Sequence, residues 1–156
     1  MKLNQTHRLE MTMARQLAVT VDIEADAGTV FEALATTAGL ASFWTPSVSG
    51  RSEEGATLEF GFEPAPVGLQ MHVDELSAGK LVAWSCPGPW PGWEGTQVRW
   101  ELADSPEADT RVLLTHSGWS DDTPDAELGS VTYTWALVAG ALKRYAESGD
   151  PDPALR

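Results

Sequence analysis

Apolar and polar positions alternate over most of this chain, and near its end the period changes. From Gln16 to Ala25 the apolar residues are Leu17, Val19, Val21 and Ile23, a spacing of two that predicts a strand. Asp26 then offers a helix cap, and Val30, Phe31 and Leu34 recur at helical spacing. Thr36 or Thr37 caps a second short helix carrying Leu40 and Phe43, which ends before Pro46 because the residue ahead of a proline resists helix. From Ser47 to Gly118 the chain reads as a succession of strands. Leu58, Phe60 and Phe62 share one face, as do Val67, Leu69, Met71 and Val73. Val82, Trp84 and Cys86 follow, then Thr96, Val98, Trp100 and Leu102, then Val112, Leu114 and His116. Glu59, Gln70, Asp74, Arg99, Glu101 and Arg111 alternate with them, as in an antiparallel sheet with one wet face.

The period then becomes helical. Leu128, Val131, Trp135, Val138, Leu142 and Tyr145 stand three and four apart, on one face of a helix from Thr123 to Ser148. Thr123 suits the cap, Pro124 the first helical position, Asp125 and Glu127 the positive end of the dipole, and Gly149 the stop. Such a helix is about 37 Å long at 1.5 Å per residue, enough to cross a whole sheet. Residues 1 to 15 read as a loose arm, 16 to 149 as one domain and 150 to 156, with two prolines, as a tail. No crossover repeats suggest a doubly wound fold.

A chain of 156 residues buries roughly two-thirds of its unfolded surface and needs no staples. Its net charge of −13 argues against nucleic acid and against an anionic membrane, since both demand clustered Lys and Arg. No apolar run approaches spanning length, and the first residues lack a signal-like apolar stretch. The single cysteine, Cys86, excludes an internal disulfide, suits a reducing cytoplasm and reads as a small buried hydrophobe in its strand. Seven tryptophans outnumber four phenylalanines and two tyrosines, which shifts attention to aromatic surface. Two of them, Trp90 and Trp93, lie in PGPWPGWEG (Pro87 to Gly95), a stiff irregular loop that either tucks against its own sheet or rims a cavity.

VFEALATTAGLASFW (Val30 to Trp44) resembles the helix pair of the SRPBCC, or START-like, superfamily. WEGTQVRWEL (Trp93 to Leu102), TRVLLTHSGW (Thr110 to Trp119) and WALVAGALKRYAE (Trp135 to Glu147) resemble its branch of activators of heat-shock-protein-ninety ATPase. The resemblance spans about residues 17 to 149. It implies an α+β helix-grip fold: a bent antiparallel sheet around the final helix, with two short helices after the first strand. It also implies an apolar small molecule held between sheet and helix. Cyclases, transporters and co-chaperones of the stress response share this scaffold.

Alternation aims His116 toward the helix side of the sheet, where a buried imidazole needs a hydrogen-bond partner. It is either a core histidine or a polar contact for a ligand, with a near-neutral pKa suited to acid–base work. Trp44, Phe60, Phe62, Met71, Trp84, Trp100 and Trp135 are expected to line the same space, joined by Trp119 and Tyr133. No nucleophile elbow, zinc spacing or nucleotide-binding glycine loop occurs, so neither a catalytic set, a metal nor a cofactor is assigned. The expected function is binding of a hydrophobic or aromatic small molecule. The alternatives are a polyketide cyclase or hydrolase using His116, and a co-chaperone domain with a chaperone partner. A homodimer is compatible with all three.

Overall fold

The computed structural model describes residues 15–156. Its elements are β1 (Arg15–Ile23), α1 (Ala27–Ala35), α2 (Thr37–Phe43), β2 (Ser47–Gly50), β3 (Thr57–Gly61), β4 (Leu69–Ser77), β5 (Leu81–Gly88), β6 (Gln97–Asp104), β7 (Thr110–Trp119) and α3 (Asp125–Ser148). The seven strands form one antiparallel sheet in the order β1-β7-β6-β5-β4-β3-β2. Alternation does the sorting: β7 buries Val112, Leu114 and His116 and leaves Arg111, Leu113 and Thr115 half-covered.

The short helices start as their sequences imply. Asp26 Oδ1 accepts from Thr29 N–H at 2.7 Å, and Thr36 Oγ1 accepts from Gly39 N–H at 3.0 Å. At Gly39 an added Cβ would stand 2.2 Å from the carbonyl oxygen of Ala33, so the two helices meet at a point only glycine permits. The long helix begins differently from expectation. Pro124, not Thr123, holds the cap position, and no side chain caps it. The Thr123 carbonyl accepts from the Arg15 guanidinium, which also pairs with Asp125. Gly149 ends the helix with φ 78°.

The far end of α3 is tied to the sheet edge. Lys143 Nζ donates to the Asp22 carbonyl at 2.9 Å, and Glu147 accepts from Lys143 and from Glu24 N–H. Asp22 in turn takes both forks of the Arg111 guanidinium across the β1–β7 pair, at 2.8 and 3.1 Å. That pairing and the Ser105 hydroxyl hold its carboxyl below the usual range. Leu128, Trp135, Val138 and Leu142 of α3 are buried, with Val131 and Tyr145 packed against the same core. A seven-stranded sheet gripping a long carboxy-terminal helix, with two short helices after the first strand, is the helix-grip fold the resemblance implied.

Two further expectations need correction. Val67 precedes β4 rather than belonging to it, and is 51% exposed beside the Pro64–Pro66 turn. Residues 150–156 are a strap, not a free tail. Asp152, Ala154 and Leu155 donate their N–H groups to the carbonyls of Ser42, Phe43 and Trp44, and Glu63 N–H donates to the Arg156 carbonyl. The strap supplies donors to carbonyls that the end of α2 leaves unpaired. The proposed arm lies outside the described residues except for Arg15, the first residue of β1.

Candidate functional site

Between α3, the end of β3 and the tryptophan loop lies a cavity of about 440 Å³. Four indoles face it: Trp44 after α2, Trp135 of α3, and Trp90 and Trp93 of the loop. Phe62, Leu69, Val131 and Val138 complete the apolar wall, and Ser130 and Thr134 add two hydroxyls from α3. Glu63, Leu155 and Arg156 bring the strap and its anchor to the rim.

The aromatic wall is built from the core outward. Trp44 sits 4.2 Å from the Phe60 ring, 5.1 Å from Trp135, 5.8 Å from Phe62 and 6.0 Å from Trp84, centroid to centroid. Pairs at such distances each add about 0.5–1.5 kcal/mol beyond their burial. The loop is held at its base by Cys86 N–H to Thr96 carbonyl and Gly95 N–H to Cys86 carbonyl. At its tip Trp90 Nε1–H donates to the Val67 carbonyl at 3.0 Å. Its tryptophans pack inward, Trp90 on Phe62 and Trp93 on Trp119 and His116, while presenting other surface to the cavity. The loop is both tucked and part of the rim.

Behind this wall His116 is wholly buried, 0% exposed, and does not reach the cavity. Trp135 Nε1–H donates to His116 Nδ1 at 3.1 Å, so the imidazole proton resides on Nε2. Nε2–H donates to Thr96 Oγ1 at 2.9 Å, and the Thr96 hydroxyl donates to the Trp93 carbonyl at 2.6 Å. Every hydrogen in this chain has one direction. It links α3, β7, the residue ahead of β6 and the tryptophan loop, and so positions Trp93 and Trp135 on the cavity wall. Burial pushes the His116 pKa down to about 3, leaving a neutral imidazole at physiological pH.

Of the residues expected to share one space, Trp44, Phe62 and Trp135 line the cavity. Phe60, Met71, Trp84, Trp100 and His116 are fully buried in the core and do not. Trp119 is buried beside Trp93, and Tyr133 points outward, 67% exposed. Inward alternation marks the buried face of the sheet, but it does not say where along that face a cavity opens. Sequence reasoning did not place Ser130, Thr134, Val131, Val138 or Leu155 at the site. Ser130 and Thr134 carry a faint signal, being hydroxyls beside the buried seam of α3 at helical spacing. Leu155 carries none. Cys86 is buried, and burial pushes its thiol pKa up, as for an inert core cysteine. Among the described residues no group of three or more His, Cys, Asp or Glu could hold a metal ion.

A curved sheet closed on a terminal helix, with an aromatic hollow at one end, defines a helix-grip protein of the START-like superfamily. Within it, this chain belongs to the family described as activator of Hsp90 ATPase homolog 1-like protein, whose model matches residues 24–147. The chain is similar to the Aha1 dimer from Colwellia psychrerythraea, with 31% identity and a TM-score of 0.76 over 86% of this chain and 98% of that one. It shares its fold with CalU16 from Micromonospora echinospora, at 18% identity, a TM-score of 0.67 and coverages of 90% and 78%. DynU16, from the dynemicin biosynthetic locus, aligns at 24% identity and a TM-score of 0.72 over 90% of this chain but 49% of its own. No curated protein sequence matches it. Among the described residues no helix is long and apolar enough to cross a membrane.

Proposed function

We propose that this protein binds a hydrophobic, aromatic small molecule in the cavity between α3, Phe62 and the tryptophan loop. The observation that carries the reading is the cavity itself: about 440 Å³, faced by four indoles and one phenyl ring, with Ser130 and Thr134 as orienting hydroxyls. That volume lies within the usual range for small-molecule sites. A ligand of about twenty heavy atoms at about 0.3 kcal/mol per atom gains about 6 kcal/mol, a Kd on the order of tens of micromolar. The test is a titration with 1-anilinonaphthalene-8-sulfonate and with neutral naphthalene derivatives, read by tryptophan fluorescence and melting temperature. Saturable quenching with a raised melting temperature, abolished by filling the cavity with Thr134→Trp, is the expected result. Unchanged fluorescence and melting temperature with every probe would defeat the reading.

The cyclase or hydrolase alternative depended on His116, and a neutral imidazole bonded at both nitrogens behind the wall offers it no support. Self-association is a second reading. It is favoured by the dimeric Colwellia relative and by exposed Tyr133 and Leu137 on α3. The family description also supports a chaperone partner, to be tested as stimulation of an Hsp90 ATPase. The single free cysteine, buried and without a disulfide partner, fits a reducing compartment such as the cytoplasm.

A further inference from the structure

The outward side of α3 carries a second seam. Ala126, Ser130, Tyr133, Leu137, Gly140 and Arg144 stand four, three, four, three and four residues apart, the repeat of helices that pack lengthwise. Tyr133 is 67% and Leu137 44% exposed, two of the three exposed large apolar side chains among the described residues. From Leu128 to Leu142 the helix has no charged residue, although the whole chain carries −13. Two copies of so acidic a protein repel over most of their surface, and this face lets them approach without opposing like charges.

The seam is also self-complementary. Its positions lie symmetrically about Trp135, at two, five and nine residues on either side. A twofold axis at that level, with the helices antiparallel, sets Tyr133 against the partner's Leu137 and Ser130 against the partner's Gly140. It sets Arg144 against the first turn of the partner's α3. There Asp125 is already engaged by Arg15, whereas Glu127 has no cationic partner among the described residues. Arg144 likewise has no carboxylate partner among them. Antiparallel helices also bring opposite ends of their dipoles together.

We propose that a second copy of this chain docks on this face, α3 against α3 antiparallel, with Tyr133 and Leu137 at the centre and Glu127–Arg144 pairs at both ends. Ser130 belongs to both the seam and the cavity lining, so the partner stands at the cavity rim. The proposal rests on the self-association reading and is independent of ligand binding.

Sedimentation of the full chain across a concentration series tests it. Leu137→Glu places a carboxylate in the seam of each copy and is expected to weaken the dimer at least about 100-fold. Leu137 is partly exposed in the single chain, so circular dichroism should show the variant still folded. Arg144→Glu and Glu127→Lys are each expected to weaken the dimer about tenfold, and the double variant to restore it. Net charge alone gives opposite signs for the two single reversals, because one makes the chain more acidic and the other less. A wild type that stays monomeric at millimolar concentration would overturn both the face and self-association. A dimer whose Kd ignores Leu137→Glu, or reversals that follow net charge, would overturn this face alone.

Discussion

His116 gives the sharpest energetic prediction, because its neutral state is enforced by burial. The unfolded chain takes up a proton on this imidazole near pH 6.5, and the folded chain does not until about pH 3. The unfolded state therefore binds more protons across that window, and stability falls as pH falls. The contribution is fully present above pH 6.5 and declines by about 1.4 kcal/mol per pH unit below it. Between pH 7.5 and pH 5 the loss is about 2 kcal/mol, and it does not depend on where near 3 the folded value lies. Asp22, Asp26 and Glu147 are also lowered in the fold, but their stabilisation is lost only as pH falls through the carboxylate range. Urea unfolding of wild type and His116→Phe at both pH values isolates the imidazole, since other groups cancel in the difference. The variant starts lower, by about 1–3 kcal/mol at pH 7.5, because Trp135 Nε1–H loses its acceptor. It should then lose about 2 kcal/mol less than wild type on acidification. Equal losses in the two proteins would show that His116 carries its proton in the fold, and the directed chain from Trp135 to Trp93 would be wrong.

Further outcomes follow from packing. Gly39→Ala forces a methyl group into the Ala33 carbonyl and should cost about 3 kcal/mol in urea unfolding, and a neutral result would deny the close crossing of α1 and α2. Trp44→Ala removes the ring shared by Phe60, Phe62, Trp84 and Trp135 and should cost about 3–5 kcal/mol, with loss of probe binding. Leu155→Ala should change probe affinity by several-fold while lowering the melting temperature only slightly, since Leu155 lies at the rim and its strap is held by backbone bonds. A large drop in stability with unchanged affinity would instead make the strap purely structural.

Much of the architecture was legible because period and burial coincide. The inner seam of α3 and the alternation of β7 each place large apolar groups on one side, and the structure buries them wholly or, at Val131 and Tyr145, in part. The start of α3 was less legible, because the expected cap residue Thr123 gives its carbonyl to Arg15, about a hundred positions away in sequence. The strap was not legible at all. PDPALR has no period, and its binding to the end of α2 uses backbone N–H groups that any residue but proline supplies. The site was half legible for a related reason. Alternation identifies which side chains face inward but not where the interior is empty. Trp93 stands at that boundary, packed on His116 and Trp119 on one side and lining the hollow on the other.

The central claim, a ligand site at one end of the grip, meets its most direct test in the seven indole N–H signals of a nitrogen-labelled sample. Trp44, Trp90, Trp93 and Trp135 line the cavity, and Trp84, Trp100 and Trp119 are sealed away from it. Addition of a naphthalene probe should shift the first four signals in a saturable way and leave the other three nearly still. No shift at saturating probe, or shifts spread evenly over all seven, would contradict a preformed cavity at this place.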